Sequence, residues 1–440
     1  MAGAAAYVKR KFDDPVFTFQ YYQVLRYLVS IILSVIMVKS GIKQMELGQY
    51  EIWIFVVTSM TFFWSAGIKN ALLSFYPTLD AENGRKLLSG VFIFLSALGI
   101  LFGAFLFLFP SNILKLFTDQ TTLPNSNVIA VYLALSVPVV LTENILYLQN
   151  RLAALIQYTH WSLGVSLVIF LIVAYFKPSL PNFIYALLCT VILRCGYLLW
   201  VLYRAHFFPL NIVQLKLFLV FAIPLICNML LSSAMDFIDG WFVSRFFDTS
   251  FFPVFRYGAR ELPFSSILFS SLSAAMIPVL IREGYHTDIL KKKVDRLMHI
   301  MFPASMLIML MSPVIFPWIY SAAYKESAFI FNIYLLILTS RVLMPQTYNF
   351  ALHQHKIIIF SGILEILVNI ILSYWWMQMW GVYGLAMATV VAYFIQKAIL
   401  IFYNSWYNGI PVTRYLSVKM YLFYCFASVI TFLLTFSLLK

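Results

Sequence analysis

The sequence predicts an all-α polytopic membrane protein, and three observations support this fold class. Of its 440 residues, 62% are hydrophobic and 11% are charged, whereas a soluble domain is only about half apolar. Apolar runs of roughly 18 to 25 residues, long enough to cross a bilayer as helices, recur along the whole chain. These runs lack the alternating polarity of barrel strands. Their connections are short, so no soluble domain remains to be placed.

Thirteen spans are predicted in order, each an apolar run that ends at polar or Pro-containing segments such as TDQTTLPNSN and FKPSLPN. Several runs contain prolines, which remove a backbone hydrogen bond and permit a bend. The approximate bounds of the spans are 18–40, 49–75, 87–110, 126–147, 152–176, 182–204, 213–237, 250–280, 296–319, 327–348, 355–377, 381–404 and 417–438.

The distribution of basic residues predicts the orientation. With the N-terminus inside, the inner connections and the tail MAGAAAYVKRKFDD contain sixteen Lys and Arg residues, against seven on the outer side. Cytoplasmic connections are enriched in Lys and Arg, so we expect a retained, cytoplasmic N-terminal tail and not a signal peptide. An odd number of spans then places Lys440 on the outer side.

A weak internal repeat predicts two lobes. GQYEIW followed by SAGIKNAL in the first half is echoed by FRYGAR followed by SLSAAMIP in the second. The shift is six spans, an even number, so both copies would enter the membrane from the same side. We therefore expect an N-terminal six-helix lobe over residues 1–208, a C-terminal six-helix lobe over residues 209–405, and an additional helix within residues 406–440.

Ionisable residues within apolar spans are the candidate functional residues, because each costs about 2.5–3.5 kcal/mol unless it is paired or hydrated. Basic residues outnumber acidic ones seven to five, so pairing leaves cations that favour water or a bound anion. An arginine fork suits phosphate or pyrophosphate oxygens. Lys397 is expected to snorkel to the inner surface. The set is Arg26, Lys69, Glu143, Arg194, Asp236, Asp239, Arg256, Arg260, Glu261, Arg341, Glu365 and Lys397.

Six of the cations are predicted to line a substrate cavity: Arg26, Lys69, Arg341, Arg256, Arg260 and Arg194. Arg26 and Lys69 lack an acidic neighbour at helical spacing, which favours a cavity role. For Arg256 and Arg260 two interpretations stay open, because Asp236 and Asp239 on the preceding span could neutralise both in salt bridges.

Four acidic residues are candidates for ion coupling or gating: Asp236, Asp239, Glu143 and Glu365. A coupling ion would be Na⁺ or H⁺, and no other cofactor is expected. An ordinary polar contact is the competing interpretation for Glu143 and Glu365.

Enzyme, metal and nucleic-acid functions are disfavoured. The sequence contains no Walker A, HExxH or nucleophile-elbow pattern, and it has no large connection to hold catalytic residues. The net charge is +13, and most of the basic residues lie in short connections between spans. Lys and Arg in such connections set the orientation of a membrane protein, so they do not indicate nucleic-acid binding. The four cysteines, Cys189, Cys195, Cys227 and Cys425, are expected to fill the core.

Two long runs of the sequence resemble the opening segments of the two lobes in exporters of the multidrug/oligosaccharidyl-lipid/polysaccharide (MOP) superfamily. Within it the chain looks most like the Wzx-type flippases of bacterial surface glycan assembly. The residues that match the family pattern are Leu47, Gly48, Tyr50, Gly67, Ala71 and Phe75 in the first half, and Asp236 or Asp239, Tyr257 and Ala259 in the second.

This resemblance implies a MATE-like, V-shaped pair of six-helix bundles in the bacterial inner membrane. Such a protein would flip an isoprenoid-pyrophosphate-linked oligosaccharide from the cytoplasmic to the periplasmic leaflet by alternating access, for surface polysaccharide or O-antigen assembly. Its partners would be the lipid-linked substrate, membrane lipids, and a glycan polymerase with glycosyltransferases. Thirteen spans depart from the family's twelve or fourteen. The alternatives are a cation-coupled multidrug exporter or a lipid II-type flippase of the same fold, or a membrane scaffold for glycan enzymes.

Overall fold

The computed structural model describes residues 15–204, 210–260, 263–285 and 288–439. These residues form seventeen α-helices and four short 3₁₀ helices, and they contain no strand. The α-helices are α1 (Pro15–Lys39), α2 (Gln44–Phe75), α3 (Ala81–Leu108), α4 (Pro110–Phe117), α5 (Ser126–Val139), α6 (Leu141–Leu148), α7 (Leu152–Phe176), α8 (Leu180–Arg204), α9 (Ile212–Phe246), α10 (Phe252–Gly258), α11 (Pro263–Glu283), α12 (Ile289–Ile319), α13 (Lys325–Leu335), α14 (Ile337–Arg341), α15 (Gln346–Ala351), α16 (His355–Trp406) and α17 (Val418–Leu439).

Within the described residues, all thirteen predicted spans are mainly helical, so the all-α membrane fold class is confirmed. Ten helical segments of the described residues are long and apolar enough to cross a membrane. The predicted spans 355–377 and 381–404 lie in one of them, α16, which changes direction at Gly381 with φ 60° and ψ −141°. The spans 250–280 and 327–348 are divided into shorter helices and are not among the ten.

The chain forms two compact units, residues 1–233 (unit 1) and 234–440 (unit 2), and the division falls inside α9. The predicted lobe boundary at residues 208/209 and the predicted cytoplasmic tail, residues 1–14, lie outside the described residues. The predicted domain bounds stay predictions.

In unit 1, α3 and α5 pack at unusually short range because α3 presents two glycines four residues apart. A Cβ atom added to Gly99 would lie 2.4 Å from the Ala134 carbonyl oxygen, and one on Gly103 would lie 2.8 Å from the Ala130 carbonyl oxygen. Small residues at this spacing let helix backbones approach closely in membranes.

In unit 2, a buried asparagine joins three helices. Pro313 in α12 cannot donate to the carbonyl of Met309, and that oxygen accepts instead from Asn332 Nδ2 of α13 at 3.3 Å and from the Ser312 hydroxyl at 3.0 Å. Asn332 also donates to Thr435 Oγ1 of α17 at 3.2 Å. The last helix therefore packs as part of unit 2.

The N-terminal end of α17 is fixed to α12 in addition. The Asp295 carboxylate accepts from the backbone N–H of Ser417 at 3.0 Å and from its hydroxyl at 2.6 Å.

The expectation that the cysteines fill the core is wrong in part: all four are free thiols, and Cys189 and Cys227 are exposed. Cys189 and Cys227 lie on outward helix faces. Hydropathy alone cannot distinguish such a lipid-facing position from a core position.

Candidate functional site

The charged residues of unit 1 meet where α1 packs near α6. The Tyr22 hydroxyl donates to Glu143 Oε1 at 2.5 Å, and Arg26, one helical turn after Tyr22, donates through Nη1 to the Tyr22 oxygen at 3.3 Å. Tyr22 is 4% exposed, Glu143 is partly buried and Arg26 is exposed. The tyrosine thus stands between the carboxylate and the guanidinium and orders both.

Two further cations lie in the same region. Lys69 on α2 is close enough to Arg26 and Glu143 for their charges to interact. Arg194 on α8 donates through Nη2 to Ser166 Oγ at 3.0 Å, while its buried Nε has no hydrogen-bond partner. The phenol of Tyr132 on α5 lies within electrostatic range of both Arg26 and Arg194.

The charge of this cluster is unbalanced. Arg26, Lys69 and Arg194 supply three positive charges and Glu143 supplies one negative charge, a difference of two. In the described part of the chain, neither Arg26 nor Lys69 has a carboxylate within salt-bridge distance. Lys69 and Arg194 are partly buried, and partly buried cations of this kind favour a bound anion or water. We call these four residues the unit 1 charge cluster.

In unit 2, Arg256 and Arg260 lie at the end of α10 and in the break before α11. Both are partly buried. The Arg260 guanidinium lies over the ring of Tyr257, 5.2 Å from its centroid, and its Nη1 has no hydrogen-bond partner. Tyr257 is itself held in a stack with Tyr320, with ring centroids 4.9 Å apart. The stack orders the ring over which the Arg260 guanidinium lies.

Asp239 does not join these arginines. Its carboxylate, 2% exposed, accepts from the Tyr334 hydroxyl at 2.5 Å, and the Thr389 hydroxyl lies 2.8 and 2.7 Å from its two oxygens. The Asn369 amide donates to Thr389 Oγ1 at 3.0 Å. The interpretation that Asp239 neutralises an arginine is therefore wrong, because its side chain is directed toward α13 and α16. We call Asp239, Tyr334, Thr389 and Asn369 the Asp239 pocket.

The other predicted acid of this helix, Asp236, is near enough to Asp239 for the two charges to interact. Asp236 precedes Asp239 by three residues on α9, so the two side chains share one face.

A second charged group of unit 2 contains Arg341, Glu365 and Lys397. Arg341 lies over the ring of Tyr393, 5.4 Å from its centroid, and its charge interacts with those of Glu365 and Lys397. Lys397 is 8% exposed, and its Nζ donates to Gln396 and Gln346 at 2.9 and 3.1 Å. The expectation that Lys397 snorkels to the surface is wrong, because these amides hold the ammonium inside the unit.

Several candidates lie where a predicted span is interrupted. Glu143 lies in the first turn of α6, just after the break at Val140, Arg260 lies between α10 and α11 in the sequence, and Arg341 ends α14. Broken helices inside membrane proteins occur where the backbone is buried in protein or lines a cavity, and transporters often form their binding sites at such breaks. The breaks therefore place these three side chains at positions that suit binding.

The residues that sequence reasoning missed are the uncharged partners. Tyr22 precedes Arg26 by four residues, and this helical spacing could have predicted their contact from the sequence. Thr389 and Tyr334 contact Asp239 although they lie 150 and 95 residues after it in the sequence. No local sequence pattern predicts these two contacts.

Comparison with known proteins gives a family match. The family model described as "Polysaccharide biosynthesis protein" matches residues 42–329, more than half of the chain. None of the curated proteins matches the sequence.

Solved structures share the fold at low identity. The lipid II flippase MurJ in an inward closed conformation has a TM-score of 0.67 and 17% identity, over 94% of this chain and 92% of that chain. An inward-facing MATE family transporter of the MOP superfamily has a TM-score of 0.65 and 13% identity, over 86% and 94%. A MOP superfamily transporter from Pyrococcus furiosus has a TM-score of 0.58 and 12% identity, over 91% and 95%.

Proposed function

Because the chain belongs to the polysaccharide biosynthesis protein family, we propose that it is a MOP-type flippase and not an enzyme. Its substrate would be an isoprenoid-pyrophosphate-linked oligosaccharide that moves from the cytoplasmic to the periplasmic leaflet. The MOP-type fold shared with MurJ and MATE transporters supports transport, and the family supports a saccharide substrate.

The unit 1 charge cluster is the observation on which the substrate class depends. Its excess of two positive charges within a membrane-spanning unit matches a pyrophosphate group. Arginine can bind phosphate oxygens through two parallel N–H donors, and lysine can bind them as a point charge. Arg26 and Lys69 are the primary ligands in this proposal, with Arg194 as a third. Arg341, Arg256 and Arg260 would contact the substrate at other stages of transport.

The biological setting belongs to the same proposal. The protein would lie in the bacterial inner membrane with its N-terminus in the cytoplasm, in agreement with the excess of basic residues in the predicted inner connections. It would take its substrate from glycosyltransferases and deliver the product to a polymerase of surface polysaccharide or O-antigen.

The sequence has no nucleotide-binding motif, so an ion gradient, the membrane potential or the substrate gradient would drive the transport. Of these we propose a cation gradient. The Asp239 pocket is the proposed site of the coupling ion, Na⁺ or H⁺. Its carboxylate has hydroxyl partners, and the buried Oδ1 of Asn369 has no hydrogen-bond partner. Carboxylate, hydroxyl and amide oxygens are ligands that suit a small hard cation. Asp236, on the same face of α9, and Glu143 would serve in gating.

The test is transport in vesicles that contain the purified protein and a fluorescent isoprenoid-pyrophosphate-linked oligosaccharide, under imposed Na⁺ or pH gradients. Arg26→Gln and Lys69→Gln each remove a charged hydrogen-bond donor worth about 1.5–3 kcal/mol, so we expect substrate affinity to fall by a factor of about 10 to 100. Lys177→Gln, in an exposed connection, is the matched control and should transport normally. Asp239→Asn should abolish the response to the gradient.

Normal transport by the Arg26→Gln/Lys69→Gln double variant, with protein levels confirmed, would contradict the proposal that the unit 1 charge cluster binds pyrophosphate. Transport of cationic drugs in place of the lipid-linked saccharide would favour the multidrug exporter. Transport of a lipid II analogue in preference to the oligosaccharide would favour the lipid II-type flippase. Full surface glycan assembly by variants that transport neither substrate would favour a scaffold.

A further inference from the structure

A stripe of buried polar side chains runs along the first half of α16. Ser361, Glu365, Asn369 and Ser373 are four residues apart, so they share one face of the helix, and each is at most 6% exposed. At Asn369 the stripe meets Thr389 of the Asp239 pocket. A row of this length is unusual inside a membrane-spanning unit, where every buried polar atom needs a partner.

Three of the four side chains of this stripe have a polar atom without a partner. Glu365 Oε1, Asn369 Oδ1 and Ser373 Oγ are buried and make no hydrogen bond within the described residues. Most buried polar atoms in proteins are satisfied by protein groups or ordered water. A file of water molecules would satisfy these three atoms in turn, and such a file conducts protons.

Glu365 is the one titratable group on this stripe, and no described residue forms a salt bridge with it. The charged groups that face it are Lys397 from the second half of α16 and Arg341 from α14. The hydrogen bonds of the Lys397 ammonium go to Gln346 and Gln396, not to Glu365. Tyr393, from the second half of α16, lies under Arg341, and Tyr334 of α13 is bound to Asp239. A buried carboxylate oxygen without a hydrogen-bond donor is costly, and a proton removes that cost.

We propose that Glu365 is a proton-binding residue of unit 2, hydrated along the polar stripe and held near Lys397 and Arg341. The nearby cations stabilise its ionised form, and burial stabilises its protonated form, so modest changes around the carboxyl would load or release the proton. The proposed transport function gives this proton binding its biological role. The binding itself can be tested without a substrate.

The experiment is infrared difference spectroscopy of the purified full-length protein, titrated with pH in the absence of substrate. The wild-type protein should show C=O stretching bands of buried protonated carboxyls, with Asp239 as a second possible source, and Glu365→Gln should remove one of these bands. Glu326→Gln, which changes an exposed carboxylate at the start of α13, is the control and should retain it. Thermal unfolding of each variant checks that the fold is intact.

Lys397→Met keeps Glu365 and removes the adjacent positive charge. We expect the titration midpoint of the Glu365 band to move at least one pH unit upward, a tenfold or larger change in proton affinity. A carboxyl spectrum that Glu365→Gln leaves unchanged, or a Glu365 midpoint that Lys397→Met leaves unchanged, would overturn the proposal. Failure of saccharide transport with the Glu365 band present would count against the flippase alone.

Discussion

Replacing Gly99 by alanine tests whether the short approach of α3 to α5 is needed. The added Cβ would lie 2.4 Å from the Ala134 carbonyl oxygen and 3.2 Å from Val137 Cβ. The nearer atom belongs to the backbone, so α5 must shift and a side-chain rotation cannot relieve the contact. Overpacking typically costs 1–3 kcal/mol, and a contact this short favours the upper end, about 3 kcal/mol. Alanine returns about 1 kcal/mol of helix propensity, which leaves a net loss of about 2 kcal/mol.

Thermal unfolding of the purified protein measures this loss. For a unit of this size about 1 kcal/mol shifts Tm by roughly 2–4 °C, so Gly99→Ala should lower Tm by about 4–8 °C. The control is Gly196→Ala on α8, where no atom lies within 4 Å of the added Cβ, and its Tm should stay the same or rise. Equal Tm values for the two variants would refute the argument that α3 and α5 are in backbone contact.

Two further predictions concern hydrogen bonds. Tyr22→Phe and Glu143→Gln should be non-additive in thermal unfolding, with a coupling energy of about 1.5–3 kcal/mol because the bond joins a hydroxyl to a charged group. Tyr203→Phe, at an exposed position, is the control, and strict additivity would contradict the contact. Asn332→Ala should destabilise the protein by about 1–3 kcal/mol, since the Met309 carbonyl loses a donor. It should also speed protease cleavage before the last helix, and unchanged cleavage would argue against that docking role.

The fold could be predicted from the sequence because hydropathy acts locally. Each span is a predominantly apolar run, and the cost of placing unpaired backbone polar groups in lipid makes a helix the outcome. The kinks and breaks were harder to place. Gly381, with non-helical φ and ψ, separates the two helical halves of α16, and α10 ends at Gly258, two residues before Arg260. Both depend on packing between helices, and hydropathy contains no information on it.

The charged candidates could also be found from the sequence, because an ionisable residue in an apolar run is conspicuous. Their partners could not. Asp239 was matched with arginines because spacing on adjacent spans allowed it, yet the structure places Tyr334 and Thr389 at its carboxylate. Neutral hydroxyls and amides are common in apolar spans, so composition does not single them out. The position of the Lys397 ammonium could not be predicted for the same reason. It depends on a hydrogen bond to Gln346, which is distant in sequence.

The balance of charge differs between the two units, and the difference fits a division of tasks within the proposed mechanism. In unit 1 three cations share one carboxylate, and the Tyr22 hydroxyl bonded to Glu143 Oε1 keeps Arg26 out of a salt bridge. In unit 2 the most buried carboxylate, Asp239, is bonded to hydroxyls, which leaves its negative charge uncompensated by any cation among its hydrogen-bond partners. A cluster with surplus positive charge favours an anion, and a carboxylate surrounded by neutral oxygens favours a cation. Direct pairing of such groups would neutralise both and leave neither able to bind. The intervening hydroxyls therefore preserve the binding capacity of the charges that they contact.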